Sequence, residues 1–128
     1  MRIQCDDMLE RHPEGLEAAL LDMHQRCGMP MYLTEHGSSS TDEAFRERDL
    51  RENLAALHRA IARGVDLRGF YYWSLLDNFE WTSGYSQRFG LIYVDFATQK
   101  RIPKASARWY SDLIAAKRKP VGTTAADG

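Results

Sequence analysis

Two short apolar runs, Met31-Tyr32-Leu33-Thr34 and Phe70-Tyr71-Tyr72-Trp73-Ser74, stand on either side of a long amphipathic segment, and this arrangement constrains the chain most. Strands joined through a helical crossover run parallel, and parallel strands need helices to cover them. The flanking sequence supplies helices. Pro13 suits a first helical turn; Leu16, Ala19, Leu20, Met23 and Cys27 follow at helical spacing, and Gly28 suits a left-handed cap. Pro30 ends that helix, and the strand from Met31 then delivers Glu35 at its end. His36, Gly37 and Ser38 to Ser40 read as loop.

Ser40 with Glu43 three residues on predicts a capping box for a second helix, which carries Leu50, Leu54, Leu57 and Ile61 on one face and ends at Gly64. After the aromatic strand comes an irregular stretch from Leu75 to Gly90. A strand from Leu91 to Phe96, a polar turn from Thr98 to Arg101 and a helix from Lys104 to Arg118 complete the pattern. The small polar tail, residues 121–128, is expected to be disordered, which leaves residues 1–120 as one unit without internal repeat or linker. The fold class is α/β. A (β/α)8 barrel usually needs about 250 residues. A chain of 128 residues can hold roughly two of its units, and the resemblance set out below implies that they are the last two.

Composition narrows the partners. A net charge of −1, with 17 basic and 18 acidic residues spread along the chain, offers no basic face for a phosphate backbone, so nucleic acid is not expected. No apolar run reaches the roughly 18 residues of a membrane span, and the first residues lack the apolar stretch of a secretory signal, so the expectation is a cytoplasmic protein with no membrane contact. Cys5 and Cys27 form no metal spacing and read as buried apolar residues. His12, His24, His36 and His58 show no paired ligand spacing, so neither a metal nor a cofactor is expected.

A glutamate where a strand meets a Gly-containing loop is weak evidence by itself, because most such residues are solvated charges. Its company is more specific. Tyr32-Leu33-Thr34-Glu35-His36-Gly37, then Tyr72-Trp73-Ser74-Leu75-Leu76-Asp77-Asn78-Phe79-Glu80-Trp81, then Arg88-Phe89-Gly90-Leu91-Ile92-Tyr93-Val94-Asp95-Phe96, and finally Lys104-Ala105-Ser106-Ala107-Arg108-Trp109-Tyr110 occur in this order. Together they resemble the carboxy-terminal part of the family 1 glycoside hydrolases, retaining β-glycosidases built on a TIM barrel, over roughly Pro13 to Ile114.

The resemblance implies roles. Glu35 stands where the family's catalytic nucleophile stands. Retaining hydrolysis needs that carboxylate and a second carboxyl, acid then base, about 5–5.5 Å away. A sugar presents a C–H face that stacks on an aromatic plane and a hydroxyl edge that needs donors and acceptors. By resemblance Trp73 lies under the glycone, Glu80 accepts from its outer hydroxyls, Trp81 donates its indole N–H to one, and Phe89 walls the pocket. Phe70, Tyr71, Tyr72 and Phe79 are expected in the core, Tyr32 and Thr34 in packing, and Asp77 and Asn78 in loop bracing. The substrate is expected to be a β-glycoside or oligosaccharide, glucose being the first expectation for the glycone.

The sequence also departs from the family pattern. His36 replaces an asparagine, the loop from Ser38 to Asp42 is short, Glu47 and Asp49 replace apolar helix residues, and Asn53 replaces a histidine. The Asn-Glu-Pro segment that carries the acid/base in the family is absent from these residues. General acid–base assistance is worth about 10²–10⁴-fold, so the isolated chain is expected to be a poor catalyst or none. Two readings follow: part of a retaining β-glycosidase that works with the amino-terminal part of a barrel, or a non-catalytic sugar-binding or interaction fragment. An intact nucleophile motif favours the first.

Overall fold

A computed structural model describes residues 11–117. Helix α1 (Pro13–Cys27) leads to strand β1 (Met31–His36), helix α2 (Glu43–Ala62) and strand β2 (Leu67–Tyr72); a β-hairpin of β3 (Ile92–Val94) and β4 (Arg101–Pro103) then precedes helix α3 (Ala105–Lys117). β1 and β2 pair in parallel, as a βαβ crossover requires. Their order and the α-helical layer are those of a partial (β/α)8 barrel. No helix among the described residues is long and apolar enough to cross a membrane.

Local chemistry sets the helix ends. Pro13 occupies the first turn of α1, where a missing N–H costs nothing, and Gly28 closes it at φ 63° with its N–H on the His24 carbonyl. The start of α2 differs from expectation. Asp42, not Ser40, is its cap: the carboxylate accepts from Ala44 N at 2.9 Å and Phe45 N at 3.2 Å, while Ser40 Oγ accepts from Asp42 N at 3.0 Å. A carboxylate at the helix start also meets the positive end of the helix dipole, which explains why the nearer acidic side chain wins.

Leu20, Leu57, Ala60 and Val65 form the core, with Leu16, Met31, Leu33, Leu54, Leu67 and Phe70 packed around them. The core therefore lies between α1, α2 and one face of the two strands. Glu17 reaches across from α1 to Arg59 at 2.6 Å and Arg63 at 3.0 Å. Several apolar residues stand outside this core: Met23, Cys27 and Ile61 are exposed, as are Tyr71 and Phe79. Cys27 is thus no packing residue. Tyr71 lies on a strand of a sheet with only two members, so its side chain meets no third strand.

The aromatic strand begins three residues earlier and ends two residues earlier than the apolar run suggests, because Leu67 to Gly69 already pair with β1. The third predicted strand is one arm of a hairpin. Its turn is pinned by Asp95, whose carboxylate accepts from Ala97 N at 3.1 Å and Thr98 Oγ1 at 2.6 Å. These bonds hold Asp95 below its ordinary carboxylate pKa, the Thr98 hydroxyl contributing most. β4 escapes a period-based reading since its three residues are all exposed and carry no alternation. The tail at 121–128 lies outside the described residues.

Candidate active site

Parallel pairing brings the carboxy ends of β1 and β2 side by side, with His36 opposite Tyr72. The register between them is irregular twice. From Met31 to Tyr32 the partner advances from Leu67 to Gly69, and from Leu33 to His36 it advances only from Phe70 to Tyr72. β1 therefore carries one extra residue just before His36. Regular alternation would put Glu35 on the face of Leu33, which packs toward the core. The extra residue instead leaves Thr34 and Glu35 exposed in succession. A bulge that re-aims a side chain at the rim of a sheet is a recurrent device beside active sites.

Trp73 follows directly across the seam. Its N–H donates to the His36 carbonyl at 2.9 Å, so the residue after Glu35 and the tryptophan are backbone neighbours. Gly37 allows the approach: a Cβ there would lie 1.8 Å from the Trp73 carbonyl oxygen. Phe89 reaches the same place from the far side of the long loop, its carbonyl accepting from Ser74 N at 3.3 Å. Trp73 is 36% exposed and Phe89 is half-buried. Glu35, Trp73 and Phe89 thus share one end of the sheet.

Glu80 and Trp81 sit further out on a tight turn. Glu80 N donates to the Gly84 carbonyl at 2.7 Å, and a single 3-10 turn spans Trp81–Ser83. Trp81 takes φ 43°, a conformation costly for a large side chain, and it is 81% exposed. The turn is anchored by aromatic contacts: Phe79 meets Tyr85 at 5.5 Å, and Tyr85 meets Phe96 at 4.4 Å. Arg88 lies over Phe96 at 4.6 Å and Tyr93 at 4.8 Å. The expected glycone residues therefore fall into two groups, Trp73 and Phe89 at the strand ends and Glu80 with Trp81 on the outer turn.

Two residues organise this end of the molecule. Asp77 has a fully buried carboxylate that accepts from Gly90 N at 2.9 Å, Lys104 Nζ at 3.1 Å, Arg88 Nη1 at 3.2 Å and Val94 N at 3.4 Å. The expectation of loop bracing is met, with two charges compensated as well. Burial lowers the pKa of Lys104, and the neighbouring Arg46 lowers it further, against the opposing pull of Asp77. Asn78 donates from Nδ2 to Ser74 Oγ and the Leu76 carbonyl, both at 3.0 Å. Arg46 is the second organiser, and periodicity gave no sign of it: a charged residue in a first helical turn ordinarily faces water.

His36, beside Glu35, is half-buried, and burial lowers its pKa while Asp49 opposes the shift. Its Nε2 has no hydrogen-bond partner among the described residues. Behind it, Asn53 donates from Nδ2 to Asp49 Oδ1 at 3.0 Å and to the Asp49 carbonyl at 2.8 Å, so two residues that depart from the family pattern satisfy each other.

The family model described as glycosyl hydrolase family 1 matches residues 3–119, a wider span than the motifs alone indicate. The chain belongs to this family. β-Glucosidase A of Thermotoga maritima is 43% identical over 112 residues, which cover 80% of this chain and 25% of that protein. The structure of the psychrophilic β-glucosidase from Micrococcus antarcticus superposes with a TM-score of 0.81 at 46% identity, covering 86% of this chain and 26% of the other. A structure of the T. maritima β-glucosidase in complex with deoxynojirimycin gives a TM-score of 0.83 at 39% identity, over 87% and 27% of the two chains. The chain thus spans about a quarter of the length of the relatives it matches.

Proposed function

We propose that this chain supplies the nucleophile and much of the glycone site of a retaining β-glycosidase, completed by the amino-terminal part of a barrel that carries the acid/base. Residues 1–120 act as that carboxy-terminal unit. Glu35 attacks the anomeric carbon and forms a glycosyl ester as the aglycone oxygen leaves with a proton from the second carboxyl; water, deprotonated by the same group, then releases the sugar. Trp73 stacks under the sugar's C–H face and Phe89 closes the wall. Glu80 and Trp81 read the outer hydroxyls from their turn.

The observation that carries this reading is the bulge in β1, which spends one residue of regular pairing to expose Glu35 beside Trp73. The name β-glucosidase carried by a relative favours a β-glucoside as first substrate. The test is covalent labelling. With the chain joined to a barrel's amino-terminal part, an activated 2-deoxy-2-fluoro glycoside should label Glu35, and Glu35→Gln should abolish turnover. Labelling elsewhere, or turnover by Glu35→Gln near that of the unsubstituted enzyme, overturns the assignment. The chain alone should not hydrolyse an aryl β-glucoside above background.

A further inference from the structure

Arg46 is the most deeply buried charged residue among those described, its side chain 0% exposed. Its guanidinium is saturated. Nε donates to Glu43 Oε1 at 3.0 Å; Nη1 donates to the Ser38 carbonyl at 2.7 Å, the Phe89 carbonyl at 3.2 Å and Tyr72 Oη at 3.3 Å; Nη2 donates to the carbonyls of Ser40 and Arg88. Six acceptors thus share five N–H groups. Glu43 lies on α2 itself, and the other five come from three separate segments: the loop after Glu35, the last residue of β2 before Trp73, and the segment that carries Phe89.

A buried cation is costly, and most buried cations face a carboxylate. Here Glu43 sits at one edge of the fork and the rest is filled by four backbone carbonyls and the Tyr72 hydroxyl, a spread that matches the planar shape of guanidinium and would not be spanned by an ammonium. Glu43 is held in turn by Ser106, whose Oγ donates to Glu43 Oε2 at 3.0 Å. A second tie runs parallel to the first: Ser39 Oγ donates to Gln87 Oε1 and accepts from Arg88 N. The two loops are therefore registered to one another through α2, and this arrangement is more than helix packing demands.

We infer that Arg46 is a positioning residue of the glycone site, setting the distance between the Glu35 loop and the Phe89 wall through its carbonyl contacts. The inference rests on the glycosidase reading for its consequence in sugar binding, but the registration of the two loops stands apart from it. Arg46 touches no substrate. Its removal lets Phe89 and the segment after Glu35 drift apart while α2 keeps its apolar seat on Leu50 and Leu57.

The test compares Arg46→Lys with Leu50→Ala, a purely packing change on the same helix, in the full chain. Hydrogen–deuterium exchange in Arg46→Lys should speed up at least tenfold at residues 38–40 and 87–90 together, with the centre of α2 still protected. Leu50→Ala should instead speed α2 most. Glu43→Gln, a milder change at the edge of the fork, should loosen the same two segments by a smaller factor, and it decides the matter should Arg46→Lys fail to fold. With the chain joined to a barrel's amino-terminal part, titration of tryptophan fluorescence with a β-glucoside should show at least tenfold weaker binding in Arg46→Lys, and no change in the affinity of the folded fraction of Leu50→Ala. Unchanged exchange at the two loops in both Arg46→Lys and Glu43→Gln, or loosening spread evenly over α2, overturns the inference. Absence of glucoside binding by the unsubstituted chain joined to a barrel's amino-terminal part counts against the glycosidase reading alone, since the exchange data decide the role of Arg46 separately.

Discussion

Replacing Asp77 by Asn keeps the shape of the side chain and removes its charge. Two of its four donors retain something: the single amide oxygen can meet Gly90 N or Val94 N but not both, since these bond to different carboxylate oxygens, and Arg88 keeps the Val94 carbonyl at 2.9 Å and its aromatic stack. Lys104 does not, since its Nζ bonds to Asp77 and its side chain is only 9% exposed. Breaking a buried pair from one side costs about 3–5 kcal/mol, and the surviving contacts of Arg88 place this case near the lower figure. That is a large share of a total stability of about 5–15 kcal/mol. With a urea slope of about 1–3 kcal/mol/M, the unfolding midpoint should fall by about 1–3 M at constant slope.

The pH dependence supplies a second reading of the same contact. The pKa of Lys104 in the folded chain lies below its ordinary 10.5, so between the two values the unfolded chain binds the extra proton and stability rises with pH. Loss of the Asp77 charge lowers the folded value further. The rising limb should therefore begin at lower pH in Asp77→Asn than in the unsubstituted chain. Adding Lys104→Met should recover much of the loss, because the uncompensated charge is gone. A midpoint shift below about 0.5 M, or a double variant no better than the single one, would refute the account of Asp77 as the counter-charge of Lys104.

Three further outcomes follow from the geometry. Asp42→Ala removes the α2 cap and should cost about 1 kcal/mol, read as a lowered melting temperature, whereas Ser40→Ala should cost less. Gly90→Ala places a Cβ 2.1 Å from Asp77 N and should destabilise by several times the roughly 1 kcal/mol typical of a point substitution, measurable by urea unfolding. In the reconstituted enzyme, Glu80→Gln should weaken transition-state binding by about 1–3 kcal/mol and alter the ratio of glucoside to galactoside turnover; an unchanged ratio and rate count against Glu80 as a hydroxyl reader.

The sequence made some of this legible and hid the rest for physical reasons. Pro13, Gly28 and the apolar spacing of α1 announced that helix because each acts locally, within a turn. The parallel pairing of β1 with β2 followed from the crossover length. The bulge before His36 did not, because an extra residue in one strand has no composition of its own and shows only against its partner. Ser40 and Asp42 are both good caps on paper, and the choice between them depends on where the preceding loop lets the chain turn. Tyr71 and Phe79 read as core because aromatic density marks a buried strand; the exposure of Tyr71 reflects a sheet of two members, whereas Phe79 stands in the loop beyond β2 against Tyr85. Arg46 was invisible for a different reason: four of its six acceptors are main-chain carbonyls, which every residue possesses and no residue type reports.

That last point bears on how the loop after Glu35 can vary. Ser38 gives Arg46 its carbonyl and nothing else, and its own hydroxyl has no partner among the described residues. Its side chain can be exchanged without altering the loop's path, whereas Gly37, one residue earlier, admits no Cβ against the Trp73 carbonyl. Adjacent positions thus differ in mutational tolerance. A randomised library across residues 37–38 should return glycine at the first and small residues such as alanine, which removes a buried unpaired hydroxyl, at the second, so that the shape of this loop persists through changes in its letters.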